Sequence, residues 1–228
     1  MELESEGRGP SAELLAELAE SSARLDKADP VEIIEWAVNR FPGKVALADS
    51  FQDAALLDMV VGVEPSIEVI FLDTGFHFPE TLAYVERLRS RYDLNLVVTH
   101  PEVPLDEFPC GSGRCCELRK VVPLAKVLRG HSAWITGLKR VDTPERAEAP
   151  VIAWDPSRNI VKVNPVAAWD DGDVEAYVAA HGLPRHPLSY IGYVSIGCAP
   201  TTMPVPEGRH PREGRWAGTG KTECGLHV

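Results

Sequence analysis

Apolar and polar positions change their period several times along the chain. From Ser11 to about Lys27 the apolar residues Leu14, Leu15, Leu18 and Leu25 recur at helical spacing, which predicts an amphipathic helix. Asp29-Pro30 then supplies an N-cap and a first-turn proline for a second helix to about Arg40. Short apolar runs follow at 44–48 (KVALA), 67–72 (IEVIFL), 94–99 (LNLVVT) and 133–136 (AWIT), each the length of a buried strand. The stretches 52–61, 78–91 and 115–128 between them read as helices. Strands alternating with helices predict an α/β fold, a parallel sheet covered on both faces. Such sheets bind ligands at the carboxyl ends of their strands. Asp49-Ser50-Phe51-Gln52-Asp53 and Asp73-Thr74-Gly75 stand at two of those ends.

Beyond Pro150 the periodicity weakens. A hairpin-like stretch over 151–163 precedes a helix over 170–181, and past Pro184 the chain is rich in Gly and Pro. No linker or repeat divides the chain, so one domain is expected over 29–205. An N-terminal segment, 1–28, with its first ten residues disordered, precedes it, and a mobile tail, 206–228, follows.

Composition narrows the class. With 228 residues, 44% hydrophobic and 25% charged, the chain reads as ordinary globular protein. No apolar run reaches the length of a membrane span, and the start lacks a basic stretch followed by an apolar one. A cytoplasmic, reducing location is therefore expected. The net charge of −11 discourages nucleic-acid binding. Its distribution changes the picture. Residues 1–40 carry ten acids against four bases, whereas 114–146 carry eight bases against three acids. A local basic patch on an acidic protein suits a small anionic ligand.

Five cysteines in a reducing setting point to metal binding or catalysis rather than to disulfides. Cys115 and Cys116 are adjacent, a geometry that suits a shared metal centre better than a bridge. Cys198 lies in the turn Ile196-Gly197-Cys198-Ala199-Pro200-Thr201, which presents a thiol beside backbone N–H groups. Cys224, in Glu223-Cys224-Gly225-Leu226-His227 near the end of the chain, has the mobility of a nucleophile that visits two partners.

Several separate motifs carry a resemblance. IFLDTGFHFPET (70–81), CCELRKVVPL (115–124), WITGLKRVDTPERAEAP (134–150), IGYVSIGCAP (191–200) and REGRW with KTECGLH (212–227) occur in the order found in assimilatory adenylyl-sulfate reductases. The chain resembles that group of the sulfonucleotide reductase family, in its actinobacterial form, from about Phe41 to Val228. The resemblance implies an adenine nucleotide α-hydrolase-like sheet. It also implies a reaction in which Cys224 attacks the sulfur of adenosine 5′-phosphosulfate, AMP leaves, and thioredoxin releases sulfite from the resulting cysteine S-sulfonate. Gly218, Gly220 and Gly225 would give the tail its freedom. By their match to the family's positions, Ser50, Lys120, Lys139, Arg140, Arg212 and Arg215 are the implied substrate contacts, and Asp53, Thr74 and Gly75, lining the same sheet edge, join them as expected contacts. His77 follows the LDTG loop and is either a nucleotide contact or a structural histidine, and His227 a tail residue near the nucleophile.

Cluster-bearing members hold a 4Fe–4S centre with a Cys-Cys pair and a distant Cys-x-x-Cys. Here Cys115, Cys116 and Cys198 match, and the fourth position is Thr201, whose neutral hydroxyl is a poor ligand for iron–sulfur. A cluster on three cysteines, one completed by Cys110, or no cluster are the three outcomes left open. The alternative functions are reduction of the 3′-phosphorylated nucleotide with a weakened or absent cluster, and a non-catalytic iron–sulfur or redox sensor. An adenylating enzyme is disfavoured, because SFQD at 50–53 replaces a glycine-rich loop. A homo-oligomer is left open.

Overall fold

The computed structural model describes residues 9–216, 221 and 223–226. Ser11 opens α1 (Ala12–Leu25), its hydroxyl accepting the Leu14 N–H at 3.1 Å, and Asp29 caps α2 (Pro30–Arg40) in the same way. Then come β1 (Val45–Asp49), α3 (Ala55–Val63), β2 (Glu68–Leu72), α4 (Pro79–Tyr92) and β3 (Asn95–Thr99). After a loop with no regular element, a π-helical turn, Glu117–Val121, leads into α5 (Val122–Val127). The remaining elements are β4 (Ala133–Thr136), β5 (Ile152–Asp155), β6 (Ile160–Val163) and α6 (Asp171–Ala180), followed by short 3₁₀ turns.

The six strands form one sheet in the order β3-β2-β1-β4-β6-β5. Every pairing is parallel except β5 with β6, so the hairpin over 151–163 extends the sheet with an antiparallel edge. Alternate residues of β1 serve opposite faces: Leu47 joins the larger core with α2, α3 and α4, and Ala46 joins a smaller one with Leu124 and Leu128 around α5. The α/β class read from the alternation of elements is the fold found. Among the described residues no helix is long and apolar enough to cross a membrane.

Two local departures from the periodicity reading concern the functional end of the sheet. The helix expected from Gln52 begins only at Ala55, because Asp53 turns back to accept the Ala55 N–H at 2.9 Å and Phe51 sits at φ 54°. That left-handed conformation is costly for a bulky residue. Burial of the ring, its edge-to-face contact with Phe71 (centroids 5.4 Å apart) and the 2.8 Å bond from the Phe51 N–H to Asp49 hold it there. The helix expected over 115–128 is present but widened at 117–121. Pro123 has no N–H to bond back to Arg119, and a π turn just upstream absorbs the missing bond.

Candidate active site

From β1 the chain moves outward to β2 and β3, and then crosses to β4 on the other side of β1. The loops after β1 and β4 therefore part in opposite directions and leave a crevice at the carboxyl edge, as doubly wound sheets do. A cleft of about 1230 Å³, including its solvent-open mouth, occupies that crevice. Asp49, Ser50, Gln52 and Asp53 line it from β1, and Gly137, Lys139, Asp142 and Arg146 from β4. The C-terminal stretch closes the far side with Arg212, Arg215, Trp216 and Cys224.

The cations differ in how their charge is used. Arg215 is held by the Ile196 carbonyl, which its guanidinium reaches at 3.2 Å, and lies 4.5 Å over the Trp216 ring. Gly197 makes room for it: a Cβ there would overlap the guanidinium. Burial, then the nearby Arg212 charge, lowers the Arg215 pKa. Arg212 also covers Trp216, at 5.3 Å. Lys120, inside the π turn, lines the cleft; burial pushes its pKa down, but the charges of Cys198 and Cys224 outweigh that and leave it raised. Lys139 lines the cleft too, yet is already ion-paired with Asp171 and lies 3.9 Å from Asp142. On the acidic side, burial pushes Asp53 up and Asp49 up to about 7. His77 gives Nε2–H to the Leu72 carbonyl at 2.9 Å, which leaves the buried Nδ1 as an acceptor with no partner among the described residues. Burial lowers its pKa, so the ring is neutral.

The nucleophile candidate follows an anchored residue. Glu223 receives Arg146 Nε and Nη2, each at 2.6 Å, and the Thr143 hydroxyl at 3.0 Å. Burial raises the Glu223 pKa, and the Arg146 hydrogen bonds and the Arg146 and Arg212 charges reverse that, leaving it below the ordinary carboxylate value. Lys221 bonds the Ser112 carbonyl at 2.8 Å. Cys224 thus enters the cleft from a tail pinned at two neighbouring points.

Behind Lys120 lies a second, much tighter cavity, lined by Cys110, Cys115, Cys116 and Cys198. Cys198 Sγ is 3.4 Å from the Thr74 hydroxyl, and Cys110 Sγ is 3.5 Å from the Thr201 hydroxyl. A hydrogen bond from Cys110, opposed by burial and aided by Lys120, lowers the Cys198 pKa; that same bond and burial raise Cys110. Burial also raises Cys116. Among the described residues no three His, Cys, Asp or Glu side chains converge as a single metal ion requires. The donor set itself, four thiols around one cavity, is of the soft kind that iron–sulfur groups take.

The phosphoadenosine phosphosulfate reductase domain family matches residues 44–204. The chain belongs to this family. It is accordingly an oxidoreductase acting on a sulfur group. It is 47% identical to the adenosine 5′-phosphosulfate reductase of Mycolicibacterium smegmatis over 94% of this chain and 95% of that one. With the enzyme of the same name from Mycobacterium tuberculosis it shares 44% identity over 92% and 93%. The phosphoadenylyl-sulfate reductase of Candida auris, crystallised with phosphate, superposes with a TM-score of 0.70 at 28% identity, covering 86% of this chain and all of that one. FMN adenylyltransferase of Candida glabrata, at 15% identity and a TM-score of 0.60 over 86% of this chain and 74% of that one, shares the fold. The match to the mycobacterial relatives extends beyond the 41–228 span that holds the motifs.

Within this reductase frame, Ser50, Asp53, Lys120, Lys139, Arg212, Arg215 and Cys224 come together at one cleft. Three other expected substrate contacts do not join them. Thr74 turns its hydroxyl to Cys198 in the smaller cavity. Gly75, at φ 76°, packs under Leu105, where a Cβ would overlap Cδ2. Arg140 points away, to Asp26 after α1 and to the Ala149 carbonyl at 2.8 Å, because its partner is the N-terminal segment. Asp49, Arg146 and Glu223 are additions from the structure. All three lie in motifs legible in the sequence, but nothing in their spacing shows that Arg146 and Glu223 meet. Gly218, Gly220 and His227 lie outside the described residues.

Proposed function

We propose that the chain reduces adenosine 5′-phosphosulfate to sulfite and AMP with thioredoxin as reductant. The observation that carries the proposal is Cys224 lining the same cleft as Lys120, Arg212 and Arg215, at the carboxyl edge beside Ser50. The Cys224 thiolate attacks the sulfate sulfur; the bond from sulfur to the bridging oxygen breaks, and AMP leaves with that electron pair. Cationic Lys120, Arg212 and Arg215 face the oxygens on which charge accumulates. Arg215 suits forked contact with phosphate, and Lys120 acts as a point charge. The enzyme keeps a cysteine S-sulfonate. A thioredoxin thiolate then attacks Cys224 Sγ and expels sulfite, and its second thiol resolves the mixed disulfide, so that the dithiol supplies both electrons. The tail pins at Glu223 and Lys221 must open for this second step.

The preference for the nucleotide without a 3′-phosphate is supported by the mycobacterial relatives of that name at 44–47% identity, against 28% for the phosphoadenylyl-sulfate reductase. Cys115, Cys116 and Cys198, lining the cavity behind Lys120, would hold the 4Fe–4S centre. When bound, that centre would cross-link the π turn and the 198 turn through iron–thiolate bonds and set fixed charge behind the cleft. The chain's own Lys120 lines both cavities and orients the anion on the cleft side.

Cys224→Ser tests the reading. Sulfite release should vanish while AMP binding stays within about twofold, because the side chain acts in chemistry and not in the cradle. Sulfite release at the wild-type rate would overturn it.

A further inference from the structure

We infer that Cys110 supplies the fourth thiolate of the cysteine cavity, in exchange for the residue at 201. The inference rests on the cluster reading above and adds a ligand to it. Cys198 and Thr201 are three residues apart on one turn, and the Thr201 hydroxyl faces the cavity. An uncharged hydroxyl is too hard and too weakly basic to stand in for a thiolate on iron–sulfur. At that hydroxyl the structure brings a thiol from a different segment: Cys110 Sγ lies 3.5 Å from Thr201 Oγ1 and lines the same cavity.

The placement of Cys110 is built rather than casual. Its loop, 104–114, is drawn inward by Arg119, a fully buried side chain that leaves the π turn toward the loop. The Arg119 guanidinium donates to the Pro104 carbonyl at 2.5 Å and to the Glu107 carbonyl at 2.9 Å, and its other nitrogen reaches the Thr74 carbonyl at 3.4 Å. It also lies 4.6 Å over the Phe76 ring. A buried charge pays its desolvation through such bonds, so the loop is tied to the end of β2 and to the π turn that follows Cys115 and Cys116. Next to Cys110, Gly111 adopts φ 90°, a left-handed turn that glycine accepts without strain and that reverses the chain toward Cys115. The Ser112 N–H bonds the Pro109 carbonyl at 2.9 Å, and the Cys115 N–H bonds the Ser112 carbonyl at 3.2 Å, closing the turn. Lys221 of the tail seals it from outside through the same Ser112 carbonyl. The result is four thiols from three segments around one cavity, with the Cys110 thiol beside the hydroxyl that stands at position 201.

The test uses the full chain purified without oxygen, as wild type, Cys110→Ser, Thr201→Cys and the double variant. Iron and acid-labile sulfide per chain, the Mössbauer spectrum and the rate of iron loss to a chelator are the readouts. AMP binding, at a cleft Cys110 does not line, reports that each variant is folded. Wild type should hold four irons. Cys110→Ser should hold fewer, or lose them at least about tenfold faster, since even a lost supporting contact costs a metal site that much. Adding Thr201→Cys to Cys110→Ser should restore content, spectrum and rate. Cys110→Ser with four irons and the wild-type rate of loss would overturn the inference and leave the cluster reading standing. A double variant as iron-poor as Cys110→Ser would overturn the exchange between positions 110 and 201. Iron-free wild type together with iron-free Thr201→Cys would overturn the cluster reading, and this inference with it.

Discussion

Arg146 and Glu223 meet through two nitrogen–oxygen contacts of 2.6 Å, although 77 residues separate them in the chain. Both side chains are more than nine-tenths buried, at 7% and 8% exposure, so the pair is one of the few ion pairs here shielded from solvent. Surface pairs contribute little, whereas breaking a buried pair leaves an uncompensated charge. Glu223 immediately precedes Cys224, so the pair fixes the residue next to the proposed nucleophile.

Glu223→Gln keeps the shape and removes the charge. Asp142 still faces Arg146 at 2.9 Å, which cushions the loss. An ion pair weakened by about 1.4 kcal/mol corresponds to a tenfold shift toward the open tail. Alkylation of Cys224 by iodoacetamide, followed on the C-terminal peptide by mass spectrometry, should accelerate about tenfold, and kcat/KM should fall. An unchanged alkylation rate would show that the ion pair does not hold the tail.

Arg215 and Arg140 are both implied phosphate contacts by sequence, and the structure separates them. Arg215→Ala should raise KM roughly tenfold or more, the value of one charge-assisted hydrogen bond of about 1.5–3 kcal/mol. Arg140→Ala should leave KM within about twofold. Instead it should lower Tm by a few degrees, because it frees Asp26 and the Ala149 carbonyl from the bonds that tie the N-terminal segment to the domain. Steady-state kinetics and thermal unfolding of the two variants separate the roles; equal KM effects would contradict the observed orientation.

Asp49 carries a pH dependence of defined sign. Burial lifts its pKa from 3.8 to about 7, with Phe51 N–H bonding opposing and Asp53 adding to the rise. The folded state therefore holds a proton that the unfolded chain has lost. Its stability contribution is complete below the unfolded value and disappears as pH rises through the folded one. Asn at 49 keeps the acceptor for the Phe51 N–H and removes the titration. Chemical denaturation should show Asp49→Asn gaining on wild type as pH rises from about 4 to 7, reaching on the order of 4 kcal/mol and then levelling. A difference independent of pH would rule out titration of Asp49 in that range.

The elements themselves were legible. Period-3.6 and short apolar runs located α1, α2 and the strands β1 to β4 within a residue or two, and the tail motif marked Cys224. Less legible were the start of α3 and the widened helix after Cys116. In the first a side chain and a left-handed Phe51 compete with the helix, and in the second Pro123 removes a backbone donor.

Sequence by itself determined the class of fold, the order of its strands and helices, and the family. These follow from each segment's own pattern of burial or from a short run of residues. Tertiary structure alone decided that Arg140 serves the N-terminal segment while Arg215 serves the cleft, that Glu223 is paired, and that Cys110 reaches Thr201. The physical reason is that hydrophobic periodicity records whether a residue is buried but not what it is buried against. Ion pairs and thiol clusters are short-range interactions between segments far apart in the chain, and only the closed fold brings them within reach.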